Sequence, residues 1–449
     1  MEDSILRKSL RSIYVNLRYF FKKIIFYSII FLKFPTKYAY LFIINDLNSK
    51  LHTVTHSHGF NRKKANRIYA KIKYYYNLAS SKKKILPEAH WKMSEAAMMM
   101  GEIPYWKNIN EKIIEEAETL VSKKMNKGYD FRVFEPYEIL RTLGNTLHLD
   151  TWIKSKLLGF QKNLRFVMPI TPYFKKKIIN KCLLDYWSKY IEVVYDPKQA
   201  NYYLSHLEDL KIWYHRYVHC GEKINPWSHS AAVYVQSKWN EQDRDPILKL
   251  SEDHLERGWK VLKEMGMPNN SWFVTLHVRD AKYKDVGNGS MTYNANIETF
   301  YDAISEIVSR GGWVIRIGDK STNSLKKMPN VIDYAKSKYK SDWMDIFLLG
   351  AARFMLGTSS GPSAVSHVFG VPIAMTNFGT SSSNYLSKKD IFLPKIIKNL
   401  DDNTKIPFSK LMSIPYGWSS SDIWLKNLYN HESYSNTSEE IKELTVEML

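Results

Sequence analysis

Apolar residues in this 449-residue chain keep two rhythms, and the change between them divides it. Between Asn61 and about Asn126 they recur every three or four positions, as in Ala65, Ile68, Tyr69, Ile72, Tyr75 and Tyr76, which predicts packed helices. From Phe131 short apolar runs alternate with helical stretches. Runs at 131–134, 164–168 and 191–195 predict strands. Between them lie a helix through Leu147, Trp152 and Leu157, opened by Gly144-Asn145, and another over about 175–190. Residues 196–250 are aromatic-rich and keep neither period, so an irregular region joining two lobes is expected there. The alternation then resumes with strands at 272–278, 313–317, 331–334, 354–356 and 371–375. A helix carries Ile297, Phe300, Ile304, Ile307 and Val308 on one face and closes at Gly311-Gly312; another spans about 343–352. Thr437 and Glu440 form a capping box for a last helix.

Strands alternating with helices argue parallel, doubly wound sheets. The expected fold is therefore α/β, with two Rossmann-like lobes at 129–250 and 251–449 behind a helical lead-in at 46–128. Charge adds a fourth segment, 1–45. The chain carries a net +20, and residues 1–84 hold 18 of the 65 Lys and Arg but only three of the 45 Asp and Glu. Between Ile13 and Leu32, Phe20, Phe21, Ile24, Ile25, Phe26, Ile29 and Ile30 interleave with Arg18, Lys22 and Lys23. The uninterrupted apolar run, Ile24–Leu32, is nine residues, against the roughly 20 that a bilayer requires. A basic, aromatic helix in the membrane interface fits this pattern, on the cytoplasmic side of the cell membrane. The alternatives are a helix docked on the protein's own core and a nucleic-acid patch, the latter without any recognisable motif. Cys182 and Cys220 fit a reducing compartment and cannot alone build a zinc site.

Candidate chemistry begins where an apolar strand ends in charge. WFVTLHVRD (272–280) runs straight into His277, Arg279 and Asp280. A buried, isolated guanidinium is costly, so Arg279 belongs at the strand's carboxyl end, where open α/β sheets bind ligands. Its planar fork suits a phosphate or carboxylate. Thr358, Ser359, Ser360 and Gly361 lie between a strand and a helix that Pro362 helps start, which leaves backbone N–H groups for an anion. Arg316 interrupts an apolar strand ended by Gly318-Asp319, and pairing with Asp333 or Asp345 stands beside ligand contact as its role. Asp345 is read either as a helix-start acid or as a group meeting a ribose or base, and His277 either as a core histidine or as part of the site. Asp243-Arg244-Asp245 resembles a metal-holding acid pair, but polar residues precede it where an apolar strand should, so no metal site is expected.

LHVRD-x-x-Tyr (276–283), GGWVIRIGD (311–319), VIDYAKS (331–337), SDWMDIFLLGAARFMLGTSSG (341–361), FGVP (369–372), Asn377 and NTSEEI (436–441) together resemble a bacterial glycosyltransferase family found in surface-polysaccharide gene clusters. The His-x-Arg element is also similar to that of fucosyltransferases of the GT-B fold, whose arginine grips the donor diphosphate. The resemblance implies two Rossmann-like lobes, the C-terminal one holding a nucleotide-sugar donor through Arg316, Gly318, Asp319, Asp345 and Thr358–Gly361. Catalytic roles fall on His277, Arg279 and Asp280. The acceptor, a growing lipid-linked glycan, would face Gly144 and Asn145, with His148 or Asp150 as candidate base. The chain departs from the family at Tyr293, where an arginine is usual, and at Gly144-Asn145, where the family has glycine-histidine. No cofactor is implied beyond the nucleotide sugar as substrate, and no nucleic acid. An inactive membrane-associated scaffold, or a basic nucleic-acid binder, is the alternative class.

Overall fold

The computed structural model describes residues 36–449 apart from 126, 137–139, 162–163, 207–216, 280–293, 322–323, 380–386, 414–415 and 417–420. Asp280, Tyr283, Tyr293 and most of the basic front therefore lie outside the described residues. Two compact units divide the described chain, one comprising residues 36–55 and Gly59–Ile113, the other His56–His58 and Ile114–Leu449.

The first unit is helical: α1 (Thr36–Thr55), α2 (Arg62–Ser81), α3 (Pro87–Met99) and the start of α4 (Ile103–Met125). The side chain of Asn61 caps α2 by accepting from Lys64 N–H at 2.9 Å. Ala65, Tyr69, Ile72, Tyr76 and Ala79 form the buried face of α2, and Ile43, Ile44, Leu47 and Leu51 that of α1. Among the described residues no helix is long and apolar enough to cross a membrane.

The second unit holds the three-stranded and the six-stranded sheet. In its first lobe β1 (Phe131–Val133), β2 (Arg165–Pro169) and β3 (Glu192–Val194) run parallel in that order. Helices α5 (Thr146–Leu157) and α6 (Lys181–Trp187) flank them, with Trp152 stacked on Phe134 at 4.5 Å. The helix expected over 175–190 is shorter, because Asn180 caps a fresh start by accepting from Leu183 N–H at 2.8 Å. The region 196–250 is also more regular than expected. Asp196 and Pro197 start α7 (Pro197–Ser205), and Ala231, Val235 and Trp239 give a buried face, four residues apart, to α8 (Ser228–Glu241).

After α9 (Glu252–Glu264) come β4 (Phe273–His277), α10 (Tyr301–Ser309), β5 (Trp313–Arg316), β6 (Val331–Ile332), α11 (Asp342–Ala351), β7 (Phe354–Thr358), α12 (Gly361–Val368), β8 (Ile373–Phe378), β9 (Ile391–Pro394) and α13 (Ser438–Met448). The six strands are all parallel, in the order β9-β8-β7-β4-β5-β6. Both faces are covered, which is why these strands read as near-continuous apolar runs. Val274, Leu276, Phe354, Leu356 and Ala374 pack with residues of α10 and α13, whereas Phe273, Ile315, Met355 and Ile373 join Phe347 and Val365 of α11 and α12. The second cluster continues into Phe134, Leu149, Trp152 and Trp187, so the two lobes share one core. The architecture is α/β with two Rossmann-like lobes and an N-terminal helical extension, as the alternating pattern predicts.

Candidate active site

The strand order reverses direction between β4 and β7. From β4 the chain steps outward through β5 and β6, then returns to β7 on the other side and proceeds to β8 and β9. At such a switch point of an open α/β sheet the crevice outside the strands' carboxyl ends is the usual ligand position. His277 pairs with Gly357 across this junction. A Cβ at Gly357 would stand 1.9 Å from the His277 carbonyl oxygen, so the two backbones approach this closely only because residue 357 is glycine. One residue on, Thr358 Oγ1 accepts from the Arg279 N–H at 3.0 Å, and the Arg279 carbonyl accepts from Ala295 N–H at 3.1 Å. Thr358 is fully buried. It positions Arg279 and does not line the crevice.

His277 sits in a cationic setting. Its Nδ1–H donates to the Ile317 carbonyl at 3.3 Å, which leaves Nε2 as the acceptor nitrogen. Burial pushes its pKa down to about 4, and the positive charges of Arg279, Arg316 and Lys340 act in the same direction. Arg316 is 4% exposed and ion-paired with Asp333 at 2.8 Å, while Asp333 also accepts from Leu325 N–H. Asp345 accepts from Tyr334 Oη at 2.8 Å and from Lys340 Nζ at 2.9 Å. Burial and the Asp345 carboxylate hold the Tyr334 phenol well above its ordinary pKa, so it remains a donor. Arg316 and Asp345 are thus tied into ion pairs that carry the site wall. Gly318 lies beside His277 and Arg316, and Asp319 is exposed and caps a turn through Ser321 N–H.

The start of α12 closes the crevice from the side of β7. Ser360 N–H donates to Ser363 Oγ at 3.1 Å, and Pro362 has no N–H, so Ser359 and Gly361 are the partly exposed backbone donors facing this edge. The first lobe meets the second here: a Cβ on Gly361 would come within 2.9 Å of Leu143 Cβ and 3.2 Å of the Gly144 nitrogen. The short turn Leu143–Asn145, which leads into α5, is therefore laid directly on the helix start, bringing Gly144 beside Gly361. His148 follows a different path. Its ring is 5% exposed, inside the first lobe, with Nδ1 bonded to Ser228 Oγ at 2.8 Å. Asp150 is equally enclosed, paired with Lys154 at 2.7 Å and 3.8 Å from His367 of α12.

Lys340 is the group that sequence reasoning missed; its loop has no periodicity, and only the packing of α11 brings it near His277. Asn377 and Asn436, from two separate motifs, exchange bonds: Asn436 N–H donates to Asn377 Oδ1 at 2.9 Å, and Asn377 N–H to Asn436 Oδ1. They seat the last helix, whose capping box of Thr437 and Glu440 forms as expected. Asp243 and Asp245 are exposed and paired with Lys388 and Lys249. Among the described residues no group of three His, Cys, Asp or Glu could hold a metal ion.

No family model matches this sequence, and no curated protein does. Among solved structures the chain is similar to the E. coli ADP-heptose lipopolysaccharide heptosyltransferase II, at 8% identity over 71% of this chain and 98% of that one, with a TM-score of 0.40. It is also similar to the iron-containing dodecameric glycosyltransferase TibC of enterotoxigenic E. coli, at 12% identity over 71% and 74% of the two chains, with a TM-score of 0.36. A family 9 glycosyl transferase of Veillonella parvula gives 12% identity over 66% and 78%, and a TM-score of 0.29. These are distant likenesses, and the functional reading rests on the site's own groups.

Proposed function

We propose that this protein is a glycosyltransferase that moves a sugar from a nucleotide-sugar donor to a growing, lipid-linked surface glycan. The observation that carries the reading is the crevice at the strand-order reversal, where Arg279, the neutral ring of His277 and the start of α12 converge. In this reading the acceptor hydroxyl oxygen attacks the anomeric carbon as the bond to the donor diphosphate breaks. Charge develops on the leaving diphosphate, and Arg279 with the N–H groups of Ser359 and Gly361 opposes it; such stabilisation is usually the largest single contribution. His277 Nε2 accepts a hydrogen bond from a sugar hydroxyl. Asp280 takes part in orienting Arg279 or the sugar. His148 is enclosed and bonded to Ser228, and the acceptor's proton passes to solvent water. The diphosphate is met by Arg279 and backbone donors without a metal ion.

The basic front brings the enzyme to an anionic membrane surface, where a lipid-linked acceptor resides. A thermal-shift series against nucleoside diphosphates and nucleotide sugars tests the donor part. A ligand at about 100 times its Kd adds ~2.7 kcal/mol, enough to move the unfolding midpoint visibly. If none of these ligands shifts the midpoint, the transferase reading fails, and the inactive scaffold takes its place.

A further inference from the structure

The outer face of α2 carries a charge pattern that the transfer chemistry does not use. Between Arg62 and Lys84 the chain has nine Lys and Arg and no Asp or Glu. The buried face of α2 is Ala65, Tyr69, Ile72, Tyr76 and Ala79. At 3.6 residues per turn, Lys63, Arg67, Lys71 and Tyr74 fall within about 80° of arc on the opposite side. All four are exposed, Tyr74 by 61%. Lys73, off this stripe, is instead turned onto the rings of Tyr69 and Tyr105 at 5.4 and 4.9 Å. None of Lys63, Arg67 and Lys71 is in an ion pair among the described residues.

An ordinary solvated helix face interleaves acids with bases four residues apart, as α4 does with Lys107 and Glu111 and with Lys112 and Glu116. On α2 the four-residue spacing sets Lys63, Arg67 and Lys71 against one another, and like charges so placed repel. An anionic surface relieves that repulsion, and an exposed tyrosine on the same stripe suits the headgroup level of a bilayer. We propose that the outer face of α2 is a docking surface for an anionic lipid bilayer. This rests on the membrane-surface reading of the basic front and adds to it a folded element whose contribution is separable.

The test is vesicle co-sedimentation of the full chain at low salt, with vesicles of 30% phosphatidylglycerol in phosphatidylcholine and of phosphatidylcholine alone. One variant combines Lys63→Gln, Arg67→Gln and Lys71→Gln; a second combines Arg18→Gln, Lys22→Gln and Lys23→Gln in the front. Each cation near an anionic leaflet is worth roughly five-fold in partition, so the α2 variant should bind about 100-fold more weakly. Tyr74→Ser should weaken binding further, and pure phosphatidylcholine should capture little of any variant. An α2 variant that binds as the parent does, while the front variant does not, overturns the α2 proposal and leaves the front intact. A parent chain that ignores anionic vesicles overturns both. Single-stranded RNA bound through Lys63, Arg67 and Lys71, more tightly than vesicles at equal salt, also overturns it.

Discussion

His277 offers the sharpest quantitative test of the site. Its ring is held neutral, with the pKa pushed from 6.5 to about 4 by burial first and then by Arg279, Arg316 and Lys340. A drop of that size corresponds to ~3 kcal/mol of preference for the uncharged ring in the folded protein. The unfolded chain takes up this proton near pH 6.5, so between 6.5 and 4 the unfolded state holds more protons than the folded one. Stability must therefore fall as pH is lowered through that window, by up to ~1.4 kcal/mol per pH unit from this ring, and nothing further should be lost below it. His219, in the same unit, is also pushed down to about 4 by burial, and burial lowers His254 and His431 as well, so the parent's slope contains several rings. The difference between parent and His277→Asn isolates one. Asparagine keeps a donor near Nδ1 for the Ile317 carbonyl but cannot titrate. Urea unfolding at half-unit steps from pH 4 to 7.5 measures the slopes, and the imidazole C–H resonance of His277 measures the pKa itself. A bound diphosphate should raise that pKa, because an opposite charge favours the protonated ring. A His277 resonance titrating near 6.5, or a variant with the parent's slope, would refute the description of the site as a buried cationic crevice.

Arg279→Ala should lower kcat by roughly 100- to 1000-fold with an unchanged unfolding midpoint, and Arg279→Lys should restore little of it, because an ammonium cannot reproduce a two-pronged contact. Thr358→Val removes the acceptor of the Arg279 N–H and should cost about 1–3 kcal/mol in urea unfolding, with weaker nucleotide binding by calorimetry. Transfer assayed in excess chelator should persist. The double change Asp243→Ala with Asp245→Ala should leave the urea unfolding midpoint almost unchanged, because both carboxylates sit in exposed lysine pairs.

The chain's period changes made the second sheet legible. Strands at 272–278, 313–317 and 354–356 were readable because both faces are covered and nearly every residue is apolar until the strand ends. Arg279 was legible for the same reason, as a charge immediately after an apolar run. Strand order was not. Nothing in the local sequence says that β7, and not β6, lies against the far side of β4, yet that placement creates the crevice. The roles of Arg316 and Asp345 were open for a related reason. A charged residue inside an apolar run announces a partner, but whether Asp333 or a ligand supplies it depends on a neighbouring element. Helices α7 and α8 were missed because aromatic content obscured the four-residue spacing of Ala231, Val235 and Trp239.

The motifs also divide by physical task. Arg316 with Asp333, Tyr334 with Asp345, and Asn377 with Asn436 each join residues from different motifs by bonds within the protein. Their common effect is to fix the carboxyl ends of β4, β5 and β8, and Thr358 does the same for the chain leaving β4. Preorganisation of this kind matters because a group meeting developing charge is effective only if it is already in place when the charge appears. The contacts that would touch a ligand are correspondingly few: Arg279, His277 and backbone N–H groups at the start of α12. Glycine at 361 then serves the second lobe and the first together. Its missing Cβ lets the Leu143–Asn145 turn rest on the helix start, so the groups that would hold the donor and those that would face the acceptor are joined by backbone contact.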